Sequence, residues 1–281
     1  MYKLFRKTII SFLLVIFVST LILNVFSLYY SPLNYFDNFY KNNVISKGND
    51  LIPGYHSRLR DLDQLENLIN TEQQNFSVET TTSIIYESLI HGGRDILIFE
   101  NWFLWLLSNF YKPLKKTQNI KRIVASGIAN CNEANAVLNE IALTNNVPAR
   151  FISLDGHIIS ELKINNKWIM VDADFGIVFP FGYDKISDDN IPYVRETLRG
   201  LLIERGFSLD TKKLDERTIK EYEEILLSTQ NNTIHQIGAA ISPRLKIVEI
   251  FGEIMNWGLT FLFGIALIFF NQKKKFNKDK L

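Results

Sequence analysis

A stretch of 23 residues near the N-terminus, TIISFLLVIFVSTLILNVFSLYY at positions 8–30, carries no charge. A helix rises about 1.5 Å per residue, so about 20 apolar residues suffice to cross the hydrocarbon core of a bilayer. Basic residues precede the stretch at positions 3, 6 and 7, and two tyrosines end it at interfacial depth. A cleaved signal peptide is the alternative, but its apolar region would span only about 7–15 residues, and NVFSLYYSPL is a poor cleavage site. We therefore predict an uncleaved membrane anchor.

A second uncharged run, IMNWGLTFLFGIALIFF at 254–270, lies near the C-terminus, and five lysines follow it within residues 271–280. An amphipathic or buried terminal helix is the alternative here, but the basic cluster favours a span. Because Lys and Arg accumulate on the cytoplasmic side, both termini are predicted to be cytoplasmic. The sequence thus predicts a protein of the cytoplasmic membrane with two spans in the lipid bilayer and a main domain, roughly residues 31–250, outside it.

Composition excludes some classes of partner. The net charge of +1 offers no basic excess for nucleic acid, so no nucleic-acid partner is predicted. Cys131 is the only cysteine and cannot form an intramolecular disulfide. It is therefore either a reactive thiol or an inert buried one.

The middle of the chain reads as a linker, then helices, then a sheet, then helices again. Turn-forming residues dominate 30–57. Apolar residues at helical spacing cover 58–70, 78–90, 132–146, 193–206 and 216–228, and strand-like patterns cover 147–154, 157–164 and 167–175. The segment ILIFENWFLWLLSNFY at 96–111 predicts a strongly apolar helix that crosses the domain core. An aromatic-lined pocket or a face resting on the membrane is the alternative.

Cys131 stands where one of these helices begins. At a helix N-terminus, the dipole and the unpaired N–H groups stabilise a thiolate and can also hold an oxyanion. Such a nucleophile needs a base, and the base needs an orienting partner. If an asparagine turn at 165–166 closes the hairpin in register, residue 159 lies opposite Asp172, and His157 becomes a near-diagonal neighbour of that carboxylate. A Cys-His-Asp triad requires this arrangement.

Four sequence pieces within residues 127–176 follow one another at characteristic spacing. They are Cys131 at a helix start, NVPAR at 146–150, GH at 156–157 and WIMVD at 168–172. In this they resemble the core of the transglutaminase-like superfamily, where a Cys opening a helix, a G-[IV]-P-A-R segment, a Gly-His pair and a W-x-x-[VL]-D strand occur in the same order and at similar spacing. The resemblance covers about 50 of 281 residues and suggests a membrane-anchored, bacterial-type member.

The resemblance implies a role for each matched residue. Cys131 would be the nucleophile and His157 the general base and acid. Asp172 would hold His157 in the correct tautomer. Trp168 would pack under the site, and Arg150 would anchor its strand.

The pattern also departs from the family in two places. Ala129 stands where members often have glycine, and ADFG replaces the proline and threonine common after the aspartate. Asp174 is therefore a rival or an accessory to Asp172. Asn130 either donates to an oxyanion or caps the helix. A metal site formed by a Cys-His-Asp set is a further alternative; no cofactor and no metal are predicted.

The implied fold class is α+β, a transglutaminase-like or papain-like core in which a helix bearing the Cys packs on an antiparallel sheet bearing the His and Asp. Helical additions and a transmembrane helix at each end complete it. The predicted divisions are a tail and membrane helix at 1–30, a linker and helical region at 31–120, the catalytic core at 121–183, a helical extension at 184–250, and a membrane helix with a basic tail at 251–281.

The implied function is that of a thiol enzyme acting on amide or ester bonds through a thioester acyl-enzyme, as a hydrolase or an acyltransferase. Its substrate would be a protein, a peptide or an acylated polymer at the cell surface. The alternative is a non-catalytic interaction module in cell-envelope or surface-polysaccharide assembly.

Overall fold

The computed structural model describes residues 2–29, 65, 67–68, 76–92, 95–204, 212–227, 232–238 and 242–276. The predicted linker at 30–57 and most of the predicted helix at 58–70 lie outside these residues. In chain order the elements are α1 (Tyr2–Tyr29), α2 (Val78–Ser88), β1 (Ile90–His91), α3 (Trp102–Ser108), α4 (Ile120–Ser126), β2 (Ile128–Ala129), α5 (Cys131–Thr144), β3 (Ala149–Leu154), β4 (His157–Ile164), β5 (Lys167–Asp172), β6 (Ile177–Val178), α6 (Ile191–Glu204), α7 (Lys212–Leu227), β7 (Thr233–Ile234) and α8 (Pro243–Phe276). The predicted α+β class is confirmed.

The chain divides into two compact units. The first unit comprises Met1–Ser31, Arg94–Thr117 and Arg244–Leu281, and the second comprises Pro32–Gly93 and Gln118–Pro243. Two helices of the first unit are long and apolar enough to cross a membrane, over Phe5–Leu28 in α1 and Pro243–Asn271 in α8. Large apolar side chains stay exposed along both helices, as in α8 where Phe261 is 64% exposed. The prediction of two helices of membrane-spanning length is confirmed.

Within the first unit, α1 and α8 run antiparallel. Phe17 lies beside Gly264, where an added Cβ would come within 3.0 Å of the ring. Further along α1, the Asn24 side-chain amide donates to the Asn256 carbonyl at 2.9 Å and to Thr260 Oγ1 at 3.1 Å. Small residues and buried hydrogen bonds of this kind join apolar helices where no hydrophobic difference drives their association.

The apolar segment at 96–111 differs from the prediction. Only Trp102–Ser108 is helical, and it begins where the Asn101 side chain accepts a hydrogen bond from the Leu104 N–H at 2.9 Å. The segment belongs to the first unit, with the two long apolar helices. The prediction of a helix through the domain core is therefore wrong, because the aromatic side chains of this segment belong to a different surface.

The second unit contains a five-stranded antiparallel sheet of order β6-β5-β4-β3-β7. Asn165 and Asn166 both have positive φ, 49° and 63°, as a two-residue turn between β4 and β5 requires. The pairing of Ser160 with Val171 puts residue 159 next to Asp172 along the ladder, as predicted.

Helices cover both faces of this sheet. Residues of α2, α4 and α5 pack with Ala149, Leu162 and Val171 on one face. Residues of α6 and α7 pack on the other face, with Ile152, Ile159 and Met170. The predicted return to helices after the sheet is confirmed, and the C-terminal part of the second unit closes the face that carries the odd-numbered residues of β4.

The antiparallel arrangement of α1 and α8 yields a topological prediction. A reporter fused after Lys280 should lie in the cytoplasm and a reporter inserted near Asn49 should lie outside. The reason is that basic residues precede the apolar run of α1 and follow the apolar run of α8. Alkaline phosphatase and fluorescent protein fusions provide the measurement. A cytoplasmic signal from the insertion near Asn49 would contradict the two-span arrangement.

Candidate active site

Cys131 is the first residue of α5, and a complete capping box fixes the start of that helix. The Asn130 side chain accepts from the Glu133 N–H at 3.0 Å, and the Glu133 carboxylate accepts from the Asn130 N–H at 2.9 Å. Asn130 is thus the N-cap, so its side-chain oxygen is used in holding the helix end. The Cys131 side chain is half-buried and in a first turn whose N–H groups have no acceptor inside the helix.

His157 and Asp172 meet at the end of the β4–β5 hairpin. His157 Nε2 lies 2.7 Å from Asp172 Oδ2, and both side chains are buried. The contact follows from the hairpin register, which makes residue 157 a diagonal neighbour of residue 172 on the same face. Because Nε2 is occupied by Asp172, Nδ1 is the ring nitrogen left for the thiol.

The Asp172 carboxylate is surrounded by hydrogen-bond donors. Besides His157, Oδ2 accepts from the Tyr222 hydroxyl at 2.9 Å, and Oδ1 accepts from the N–H groups of Asp174 at 3.0 Å and Phe175 at 3.3 Å. Burial alone raises the pKa of Asp172. The charge of His157 and the hydrogen bonds from His157, Tyr222 and Phe175 outweigh that effect and lower this pKa.

His157 responds to the same carboxylate in the opposite sense. Burial alone lowers the pKa of His157, but the charge and hydrogen bond of Asp172, with a smaller contribution from Cys131, raise that pKa to about 11. The ring is therefore protonated at neutral pH. A protonated imidazole beside a thiol is the charge arrangement that an imidazolium–thiolate pair requires.

Asp174 also lies at the thiol. Cys131 Sγ, one ring nitrogen of His157 and a carboxylate oxygen of Asp174 all lie within 4.8 Å of one another. Sulfur, nitrogen and oxygen donors at this spacing could hold a divalent ion such as Zn²⁺, with Asp172 orienting the far nitrogen of the ring. The structure thus assigns the two carboxylates different positions, with Asp172 on the ring and Asp174 at the thiol side.

Tyr222 of α7 is a site residue that the sequence analysis missed. Its hydroxyl donates to Asp172, and its ring lies 5.8 Å from the His157 ring and 5.1 Å from the Phe175 ring. Burial and the charge of Asp172 raise the pKa of Tyr222, so the hydroxyl stays protonated and remains a donor. No local motif marks Tyr222, because 50 residues separate it from the carboxylate it contacts.

Asn135 is a second residue that the sequence analysis missed. Its amide nitrogen donates to the carbonyls of Cys131 and Ile158, each at 2.9 Å, and its oxygen accepts from the Ala173 N–H at 3.2 Å. One fully buried side chain therefore ties together the three backbone segments next to the thiol, the imidazole and the carboxylate. Its place one turn after Cys131 is a signal that could have identified it.

Trp168 and Asp172 lie near opposite ends of β5. Four residue steps along the strand, about 13 Å, lead from one to the other. The Trp168 ring stacks on the Arg150 guanidinium, 4.0 Å from the ring centroid, and Arg150 pairs with the buried Glu161 at 2.6 Å. Arg150 and Trp168 thus belong to one cluster with Glu161.

No protein-family model and no curated protein matches this chain. What the structure establishes is a grouping of Cys131, His157 and two aspartates in an α+β unit, together with two helices of membrane-spanning length.

Replacing Asn135 tests how the site is held. Asn135→Leu should lower the free energy of unfolding by about 2–4 kcal/mol, because it leaves the Ile158 carbonyl and the Ala173 N–H buried without a partner. Asn139→Leu is the matched control, since Asn139 lies one turn further along α5 and its buried Oδ1 has no hydrogen-bond partner in the described part of the chain. Thermal and denaturant unfolding in detergent measure both variants. Equal destabilisation would mean that Asn135 has no special role.

The charge state of His157 can be read directly. Its ring should stay protonated between about pH 6 and 9, because its pKa is raised from 6.5 to about 11. Its contribution to folding is therefore complete below pH 6.5 and is lost as the pH rises through about 11. In Asp172→Asn the same pKa should fall well below 11, because burial lowers it and the largest opposing charge is then removed. Carbon-13 NMR of labelled histidine measures this titration, with His157→Gln for assignment. A wild-type ring that titrates near 6.5 would contradict the expectation.

Proposed function

We propose that this protein is a membrane-anchored, transglutaminase-like thiol enzyme that acts on amide or ester bonds through Cys131, His157 and Asp172. The observation that carries the proposal is the buried hydrogen bond between His157 and Asp172, with Cys131 within 4.8 Å of the imidazole at the start of a helix. Nucleophile, base and orienting group then stand in the order that covalent catalysis requires.

The chain order of these groups supports the resemblance to the transglutaminase-like superfamily. A helix opening on Cys131 is followed by an antiparallel hairpin whose first strand begins at His157 and whose second ends at Asp172. The Gly-His and W-x-x-[VL]-D pieces thus fall on the strand start and strand end that would present the two side chains together. Trp168 and Arg150 would belong to the structural part of that motif.

In the first half-reaction, the Cys131 thiolate would attack the carbonyl carbon of an amide or ester. The carbonyl π pair moves onto oxygen, where backbone N–H groups in the first turn of α5 can stabilise it. Protonated His157 then gives its proton to the departing amine or alcohol as the tetrahedral intermediate collapses to a thioester. Asp172 would keep the ring oriented through Nε2, so that Nδ1 faces the reacting atoms.

In the second half-reaction, neutral His157 would take a proton from water or from an amine that attacks the thioester. Cys131 leaves as the thiolate, and the product is a carboxylic acid or a new amide. Substrates of the right chemistry at a cell surface are proteins, peptides and acylated polymers. The orientation of the two apolar helices, with both basic termini in the cytoplasm, would place the second unit on that side.

Covalent labelling tests the proposal. An electrophilic amide probe should modify wild-type protein rapidly near neutral pH, fail with Cys131→Ala, and react much more slowly with His157→Ala. His235→Ala is the matched control, because His235 bonds Ser153 at 2.8 Å and plays no part in the triad. Asp172→Asn should label about 10- to 1000-fold more slowly with its fold retained, since the thiol depends less on the third member than a serine would.

Two results would contradict this function. Equal labelling of Cys131→Ala and wild type would exclude Cys131 as the nucleophile and favour a non-catalytic interaction module. A thiol that reacts only after treatment with EDTA would indicate that Cys131, His157 and Asp174 hold a metal ion.

Full-rate labelling of Asp172→Asn would leave the function in place but would move the orienting role from Asp172 to Asp174.

A further inference from the structure

The segment from Asp95 to Thr117 folds back on itself within the first unit. At its base the Ile96 N–H donates to the Lys115 carbonyl at 2.7 Å, and Asp95 pairs with Lys115 at 3.1 Å and with Lys116 at 3.4 Å. Both ends of the segment are therefore held together on a charged side. The part between them, about 97–111, contains the helix α3 and all six aromatic residues of the segment.

One side of this loop packs on the two long apolar helices. The Phe99 ring lies 5.2 Å from the Phe26 ring of α1, and the Phe103 ring lies 6.3 Å from the Phe251 ring of α8. Leu104 is fully buried against Gly252, where any Cβ would lie 2.3 Å from it. The loop is thus seated at a defined level on both helices.

That level is the end of the apolar part of α8. The uncharged run of α8 covers 254–270, and Gly252 lies 18 residues before Phe270, about 27 Å along the helix axis. This distance is close to the thickness of the hydrocarbon core. Thr117, at the C-terminal end of the loop, hydrogen-bonds Glu249. Glu249 precedes Gly252 on α8 and lies on the charged side of that level.

The other side of the loop is apolar and exposed. Phe110 is 83% exposed, the largest value among the large apolar side chains that the structure describes as exposed. Further exposed members of this surface are Trp105, Leu106 and Tyr111. The surface continues the exposed apolar faces of α1 and α8 at Phe26 and Phe251, and lysines follow it at positions 112, 115 and 116.

The backbone of the loop is largely self-sufficient in hydrogen bonds. Several backbone N–H groups donate to backbone carbonyls within the loop. The donors are the N–H groups of Glu100, Asn101, Trp105, Phe110, Tyr111 and Leu114. Three further donors are satisfied by side chains, since the Leu97 N–H bonds Glu100 at 2.8 Å, the Leu104 N–H bonds Asn101 at 2.9 Å and the Phe103 N–H bonds Asn256 at 3.5 Å. Such internal pairing is the condition for non-spanning backbone to enter the apolar edge of a bilayer.

We infer that residues 97–111 form a third membrane element, a short loop that dips its aromatic face into the lipid of the leaflet around the outer ends of α1 and α8. Trp105, Phe110 and Tyr111 suit the boundary between acyl chains and headgroups, and the three lysines suit the phosphate layer above it. The occupant of the surface is lipid, because the face continues the exposed apolar sides of two helices that cross the bilayer in the proposed anchoring. This inference rests on the proposed membrane anchoring and not on the chemistry of Cys131.

Spin labelling of the full chain tests the loop. Cys131→Ala removes the only native thiol, after which Phe110→Cys or Leu106→Cys carries a nitroxide on the exposed face. Phe261→Cys on α8 is the reference for the spanning region, and Tyr193→Cys on α6 is the reference for water. The proteins are reconstituted at a low protein-to-lipid ratio in vesicles of phosphatidylcholine and phosphatidylglycerol. Collision rates with oxygen and with a water-soluble nickel chelate are then measured.

The loop labels should show an oxygen-to-nickel ratio several-fold above that of position 193 and below that of position 261. A ratio equal to that of position 193 would overturn the inference while leaving the anchoring intact. Low collision with both reagents would mean that protein, such as a second copy of the chain, covers the face, and would also overturn it. A water-like ratio at position 261 would overturn the anchoring itself, whatever the result of the thiol labelling.

Discussion

The second unit depends on a carboxylate placed where water cannot reach it. Asp172 is fully buried, and an isolated charge in such a place would be neutralised by a raised pKa. Four donors prevent this, from the His157 ring, the Tyr222 hydroxyl and two N–H groups in the turn after β5. Because the donors come from three parts of the chain, the charge can be buried only when the hairpin, the turn and α7 are all in place.

The two halves of the candidate site come from opposite faces of the sheet. Helix α5 packs on one face, and the side chains of His157 and Asp172 belong to the face that α7 covers. They meet at the strand ends, where Cys131 opens α5 and β4 begins. Asn135 bridges the two sides, since its amide contacts the backbone of α5, of β4 and of the turn after β5. A rigid amide with three partners holds that junction better than apolar packing would, because it specifies direction as well as distance.

The first unit follows a different physical rule. Large apolar side chains are exposed along its two long helices, and polar side chains pair between those helices, as with Asn24, Asn256 and Thr260. This inversion is expected of helices in lipid, where backbone and side-chain polar groups must find partners within the protein. The loop after Asp95 has a similar character, since its exposed face is aromatic and many of its backbone hydrogen bonds are internal.

Local patterns in the sequence determined much of this protein. An uncharged run long enough for a bilayer, an Asn-Asn turn between alternating strands, and an apolar stripe at helical spacing after Cys131 each carry their geometry within a short stretch of chain. Those patterns located the two membrane-length helices, the hairpin register that joins His157 to Asp172, and Cys131 at a helix start. What only the tertiary structure decided involves residues far apart in the chain. Tyr222 reaches Asp172, Trp168 stacks on Arg150, and the segment at 96–111 packs on α1 and α8. Hydrophobic spacing predicts that one face of an element is buried, but it does not identify the element that packs on it. The identity of that element depends on side-chain packing and on the burial of single polar groups, and both are defined only in the folded protein.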